Sequence, residues 1–222
     1  MPSRIYPLIT DQIYHVFNRS IERIPIFTNN KAAKRAIDTI TYYRFERLSV
    51  RLSYFLLWSD TRQKELLLQL EKENKTLVTI ICYCYMPNHF HFLLKQNQQN
   101  GISKFLSKFE NSFTKYFNTS AKRKGHLFLG QFKAVRIETE EQLLHISRYI
   151  HLNPYSSFVV KNLENLLSYE WSSLPEYLGK TRGFCIKDHI LSRFKKTSYL
   201  KFILDQADYQ RRLETIKHLT LE

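Results

Sequence analysis

The chain is poor in cysteine, in acidic side chains and in long apolar runs, and each shortage excludes a class of protein. Cys82, Cys84 and Cys185 are an odd and sparse set for 222 residues. They make no disulfide framework and fit a reducing compartment. Only 20 Asp and Glu stand against 34 Lys and Arg, a net charge of +14. That imbalance favours a polyanionic partner such as nucleic acid, with an anionic membrane surface as the competing explanation. No apolar stretch approaches the roughly 18 to 20 residues of a membrane span, and the amino terminus MPSRIYPLITDQ lacks a signal-peptide pattern. A soluble, cytoplasmic protein without membrane partners is expected, with one full core and room for a smaller appendage.

What is present reads as an α+β order. IYHVFNRS (13–20) has the composition of a strand, with Tyr14 and Val16 on one face and His15 and Phe17 on the other. Residues 30–47 carry Ala33, Ile37 and Ile40 in helical register, and a second helix is expected at about 60–74. TLVTIICYCYM is a strand by its β-branched and aromatic content; Met86, Pro87 and Asn88 turn the chain into a further strand at 89–95. A long helix over 101–120 places Phe105, Phe109, Phe113 and Phe117 four apart, a packing stripe. HLFLGQFKAVRIE supplies another strand, and 140–152 a helix. Thr139 is its expected N-cap, Gln142 completes a capping box, and Pro154 is expected to stop it.

The chemistry concentrates in two segments. In MPNHFHFLLK, His89 and His91 flank Phe90 on a strand, so period-two alternation sends both imidazoles to one face, where they could hold one divalent cation. The triplet alone is weak, since two half-exposed histidines on a sheet are common. In SRYIHLNPY, Tyr149 and Asn153 stand four apart on a helix and so share a face. A tyrosine beside a buried stripe is ordinarily a packing residue, and only a histidine strand lying next to this helix would change that reading. Spacing does not decide that point.

YHVFNRS, YCYMPNHFHFLLK, GHLFLGQFK, SRYIHLNPY and YEWSSLPEYLG, in that order over about residues 12–180, resemble the REP-associated tyrosine transposases, a branch of the single-tyrosine HUH transposases. The resemblance implies a ferredoxin-like or RRM-like antiparallel sheet with helices packed on it, residues 1–180 forming the transposase domain and 181–222 a small helical extension. It implies Tyr149 as the nucleophile, His89 and His91 as metal ligands with Asn153 as the third, and Mg²⁺ or Mn²⁺ as the ion. The implied reaction cleaves and rejoins single-stranded, hairpin-bearing DNA through a 5′-phosphotyrosine. A monomer or homodimer, cytoplasmic and nucleoid-associated, would follow. The pattern departs from the family at Ser20, where glycine is usual, and at Gln131, where arginine is usual.

The remaining features have competing readings. His15, Asn18 and Arg19 match a family segment resembling a DNA-contacting edge, and Gln131 falls at a further DNA-contact position. Lys122, Arg123, Lys124, Lys133 and Arg136 form a basic zone suited to phosphate contacts. Cys82 and Cys84 share a strand face and could join the histidines in a zinc site, although buried free cysteine is the commoner outcome. His145, one turn before Tyr149, reads as a surface residue whose position would permit proton transfer. RLSVRLSYFLLWSDTRQ (47–63) is extra sequence with enough aromatics to pack on the domain. Two rival functions stay open: a domesticated protein that holds structured nucleic acid without cutting it, and an RNA-binding or RNA-cleaving protein.

Overall fold

The structure, a computed structural model, describes residues 7–194 and 198–220. The first residues of the amino-terminal segment read above, MPSRIY, and Lys195–Thr197 within the extension lie outside the described residues. Among the described residues four strands and ten α-helices, with a short 3-10 turn at Ile21–Arg23, follow in the order β1 (Ile13–Arg19), α1 (Asn30–Tyr43), α2 (Leu52–Phe55), α3 (Asp60–Glu73), β2 (Val78–Met86), β3 (His89–Gln96), α4 (Gly101–Ser120), β4 (Lys133–Arg136), α5 (Glu140–Ser156), α6 (Leu163–Leu167), α7 (Leu174–Tyr177), α8 (Asp188–Leu191), α9 (Tyr199–Leu204) and α10 (Ala207–Thr220). The strands form one antiparallel sheet ordered β2-β3-β1-β4. This is the ferredoxin-like arrangement, with β1 and β3 side by side at the centre.

The two faces of the sheet are covered by different helices, and alternation along the strands sorts the side chains between them. Val16, Phe90 and Phe92 turn toward α1 and α4, where Phe90 and Phe92 meet Phe109, and Phe92 meets Phe105. Phe105, Phe109 and Phe113 are wholly buried, each stabilising the fold by about 1.5–3 kcal/mol relative to exposure. The helical stripe is therefore core. Gly101 opens α4 because a Cβ there would collide with the carbonyl oxygen of Leu77. On the opposite face α5 lies against β2 and β3.

Several boundaries differ from the sequence expectations for physical reasons. The first helix ends at Tyr43, before residue 47, because the chain turns to bond Glu46 N to Lys75 O and Leu77 N to Arg44 O. The expected fourth strand shrinks to Lys133–Arg136, while 127–129 runs beside the end of β1 through Ile21 N to Leu127 O and Leu129 N to Arg19 O. Pro154 does not stop α5, which continues to Ser156. The proline forfeits only the bond to the Ile150 carbonyl, and buried Leu152 and Tyr155 on either side hold the last turn in place. Thr139 caps as expected, its Oγ accepting from Gln142 N at 3.1 Å, but the Gln142 side chain accepts from Glu138 N instead of closing the box.

The 47–63 segment packs as a satellite core, with Leu52 and Phe55 buried against Tyr42. The outer edge of β2 is covered by the chain after α6: Tyr85 N donates to Trp171 O, Ser173 N to Tyr83 O, and Ile186 N to Ile80 O. An open edge that would otherwise invite pairing is thereby closed. Cys185, Ile190, Tyr199, Ile203 and Ala207 belong to the same buried cluster as the sheet.

Candidate active site

The register of β1 on β3 puts Phe17 opposite His91 and Arg19 opposite His89, so His15, Phe17, Arg19, His89 and His91 share the face that α5 covers. His89 and His91 have ring centroids 5.0 Å apart. The Tyr149 ring stands edge-on to His91 at 5.5 Å and to His15 at 6.0 Å. The histidine strand and the tyrosine helix are thus neighbours, the condition under which Tyr149 ceases to read as a packing residue.

Asn153, one turn beyond Tyr149, is buried and its amide nitrogen lies 3.5 Å from His91 Nε2. Its Oδ1 accepts from Ser157 Oγ at 3.2 Å. Turning the amide by half a rotation exchanges its two ends, bringing oxygen to the histidine while nitrogen donates to the serine hydroxyl. His89 Nδ1 donates to Asn88 Oδ1 at 2.7 Å, which leaves Nε2 as the basic nitrogen of the neutral ring. His91 Nδ1 lies 3.0 Å from His15 Nε2. Burial, reinforced by His89 and His15, pushes the His91 imidazolium well below its ordinary range. Burial alone pushes His15 down to about 4. Both rings are therefore neutral near pH 7, the form in which an imidazole ligates a metal.

Two imidazole nitrogens and an amide oxygen converging from a strand and a helix fit a divalent ion with coordination positions left open. Cys84 stands opposite His91 but does not extend this set. Its thiol contacts Tyr85 O and Met86 Sδ, and burial pushes both Cys82 and Cys84 upward, away from the thiolate a zinc site requires. Among the described residues no three His, Cys, Asp or Glu side chains form a metal cluster.

The sequence-derived DNA contacts separate by face. Arg19 is exposed beside His89, and Lys133, opposite Phe17, stands on the same face. Lys122 and Lys124 are exposed in the loop after α4, which leads to the 127–129 segment alongside Arg19; Gln131 is exposed just beyond it. Arg123 is partly used within that loop, its guanidinium donating to Asn118 Oδ1. Arg136 lies opposite Tyr14, on the other face, and donates to Gln12 Oε1 at 2.9 Å. Asn18 is buried on that other face too, its amide donating to Glu110 Oε1 at 2.8 Å and Leu129 O at 3.1 Å. His145 is held by Arg148 and Glu141.

Sequence reasoning missed the contact of His15 with His91 and a buried array on α5 beyond Tyr149, in which His151 bonds Tyr199 Oη at 2.7 Å and Ser173 Oγ at 2.8 Å. The pattern His15-x-Phe17 on an alternating strand was the available signal for the first. Nothing local signals the second.

A family model described as "Transposase IS200 like" matches residues 9–153. Among solved structures, a REP-associated tyrosine transposase bound to a REP hairpin is similar, with 14% identity, a TM-score of 0.54, and coverage of 85% of this chain and 90% of that one. A search of curated proteins finds no match.

Proposed function

Given that this chain belongs to the IS200-like transposase family, we propose that it is a metal-dependent single-tyrosine transposase of the REP-associated type, which cleaves and rejoins single-stranded DNA next to a hairpin. The observation that carries this reading is the placement of Tyr149 edge-on to His91, with Asn153 one turn further along the same helix and in reach of the same imidazole. His89, His91 and Asn153 would hold Mg²⁺ or Mn²⁺, which when bound polarises the scissile phosphate and offsets its negative charge.

The chain's own groups supply the rest. The Tyr149 hydroxyl gives its proton to water and its oxygen attacks phosphorus; the P–O3′ bond breaks, and the departing 3′-oxygen takes a proton back from water, so that no net proton is consumed. The products are a 5′-phosphotyrosine and a free 3′-hydroxyl. Rejoining is the reverse attack by a 3′-hydroxyl, and the retained phosphodiester bond makes ATP unnecessary. α5 fixes Tyr149 on a rigid element, so the strand must be brought to it. Arg19, Lys133, Lys122 and Lys124 line the approach, and hairpin DNA of the kind seen with the similar transposase is the natural ligand for them.

The test is incubation with a hairpin bearing a single-stranded flank and Mn²⁺, followed by denaturing electrophoresis. A covalent protein–DNA adduct is expected, absent without the metal. Tight binding without any adduct would replace this reading with that of a non-cleaving structured-nucleic-acid-binding protein.

A further inference from the structure

His15 occupies a place that DNA contact does not explain. Its side chain is on the site face of β1, but the residue is only 7% exposed, and its Nε2 is 3.0 Å from His91 Nδ1. The two rings lie nearly parallel, 24° apart with centroids 5.1 Å apart. Phe17 packs on both rings, at 5.0 Å from His15 and 5.6 Å from His91. Tyr149 closes the cluster from the helix side.

A hydrogen bond between two neutral imidazoles has one donor and one acceptor. If His15 Nε2 carries the proton, His91 Nδ1 accepts and His91 must carry its own proton on Nε2, the nitrogen that faces Asn153. That nitrogen could not then accept from the Asn153 amide. If His91 Nδ1 carries the proton, it donates to His15 Nε2, and His91 Nε2 presents a lone pair toward Asn153. Whichever end of the Asn153 amide lies 3.5 Å from it, only the second arrangement leaves His91 Nε2 a lone pair with which to ligate a metal ion.

We propose that His15 is a positioning residue: it accepts the His91 Nδ1 proton, fixing the ring orientation and the tautomer that turns Nε2 of His91 into a ligand. The proposal rests on the metal-site reading above and adds to it the device that readies the site. Asn88 plays the equivalent part for His89, accepting from Nδ1 at 2.7 Å. Each histidine of the pair thus has an outer partner on Nδ1, and such partners typically contribute 10- to 100-fold in metal affinity.

The test has two readouts. Nitrogen-detected NMR of the metal-free full chain at pH 8 reports the tautomer of His91, and calorimetric titration reports Mn²⁺ affinity. In the unaltered protein His91 is expected with the proton on Nδ1. His15→Phe keeps a flat ring but removes the acceptor; it should release His91 into a mixture of tautomers and weaken Mn²⁺ about 10- to 100-fold. His15→Gln, whose amide oxygen reaches the place of Nε2, should restore most of both. A His91 proton on Nε2 in the unaltered protein overturns the proposal, as does unchanged Mn²⁺ affinity in His15→Phe when His89→Ala abolishes binding. If His89→Ala leaves Mn²⁺ binding intact, the metal-site reading fails separately, and the tautomer spectrum by itself then decides for or against His15 as the partner that holds His91. Should His15→Phe not fold, the unaltered spectrum and the glutamine variant decide.

Discussion

His151 on α5 and Tyr199 on α9 are joined by a 2.7 Å hydrogen bond in the buried interior. The Tyr199 hydroxyl donates in turn to Ser147 Oγ at 3.2 Å, and Arg148 donates to Phe202 O. At the far end of α5, Tyr155 donates to Asp208 Oδ1 at 3.0 Å. Residues of α9 and α10 are therefore fastened along the length of the helix that holds Tyr149 and Asn153. Tyr199→Phe removes one hydroxyl and strands His151 Nδ1 without that partner, a change expected to cost about 1–3 kcal/mol. Urea denaturation of the two proteins measures it. A difference near zero would mean that the Tyr199 hydroxyl contributes nothing to holding α9 on α5.

Tyr149→Phe tests the nucleophile. The ring contacts with His15 and His91 need no hydroxyl, so the fold and hairpin binding should persist. The covalent adduct should vanish. An adduct formed by the phenylalanine variant would move the nucleophile to another residue.

Much of this site was legible in the sequence, and the limits of that legibility are instructive. Alternation in His89-Phe90-His91 and the four-residue spacing of Tyr149 and Asn153 are local regularities, which a strand and a helix convert directly into shared faces. The partnership of His15 with His91 depends on the register of β1 against β3, a long-range property; alternation in His15-x-Phe17 gives the face of His15 but not its partner. Asn18 lies beside exposed Arg19 in sequence, yet its position on the strand sends it to the core. Pro154 ends most helices by local rules; here packing of Leu152 and Tyr155 overrides them. The His151 array needed three distant segments to meet.

The burial of Glu110 beneath the sheet, where it accepts from Asn18, gives the stability a pH dependence of definite sign. Burial pushes the Glu110 carboxyl up from 4.5 to about 7, opposed in part by the Asn18 amide. A group whose folded pKa is raised contributes fully below its unfolded value, and that contribution is lost as pH rises through the folded one. Glu110 should therefore lower stability progressively from about pH 4.5 to 7, by about 2 kcal/mol once its partial exposure is discounted. Glu110→Gln keeps an oxygen for Asn18 and removes the charge. It should be more stable than the parent at pH 8 and nearly equal at pH 4.5. Parallel denaturation curves across this range would show that Glu110 stays ionised in the fold.

The DNA-binding face is tested by charge and by sidedness together. Arg19, Lys122, Lys124 and Lys133 are exposed around the His89 end of the sheet, whereas Arg136 projects from the opposite face and is held by Gln12. Each phosphate contact to a single strand contributes about −0.7 to the slope of log K against log salt, so four engaged cations should give roughly −3. Removing Arg19 and Lys133 together should flatten the slope by about 1.4, while Arg136→Ala should leave it unchanged. Fluorescence anisotropy over a salt series, with a flanked hairpin and a blunt duplex of equal length, provides the comparison. The flanked hairpin should bind more tightly, because a duplex cannot bring an unpaired phosphate to a tyrosine fixed on a rigid helix. An Arg136→Ala variant that loses as much slope as the Arg19, Lys133 pair would place the DNA on the α1 and α4 face, away from Tyr149, and the cleavage reading would lose its substrate path.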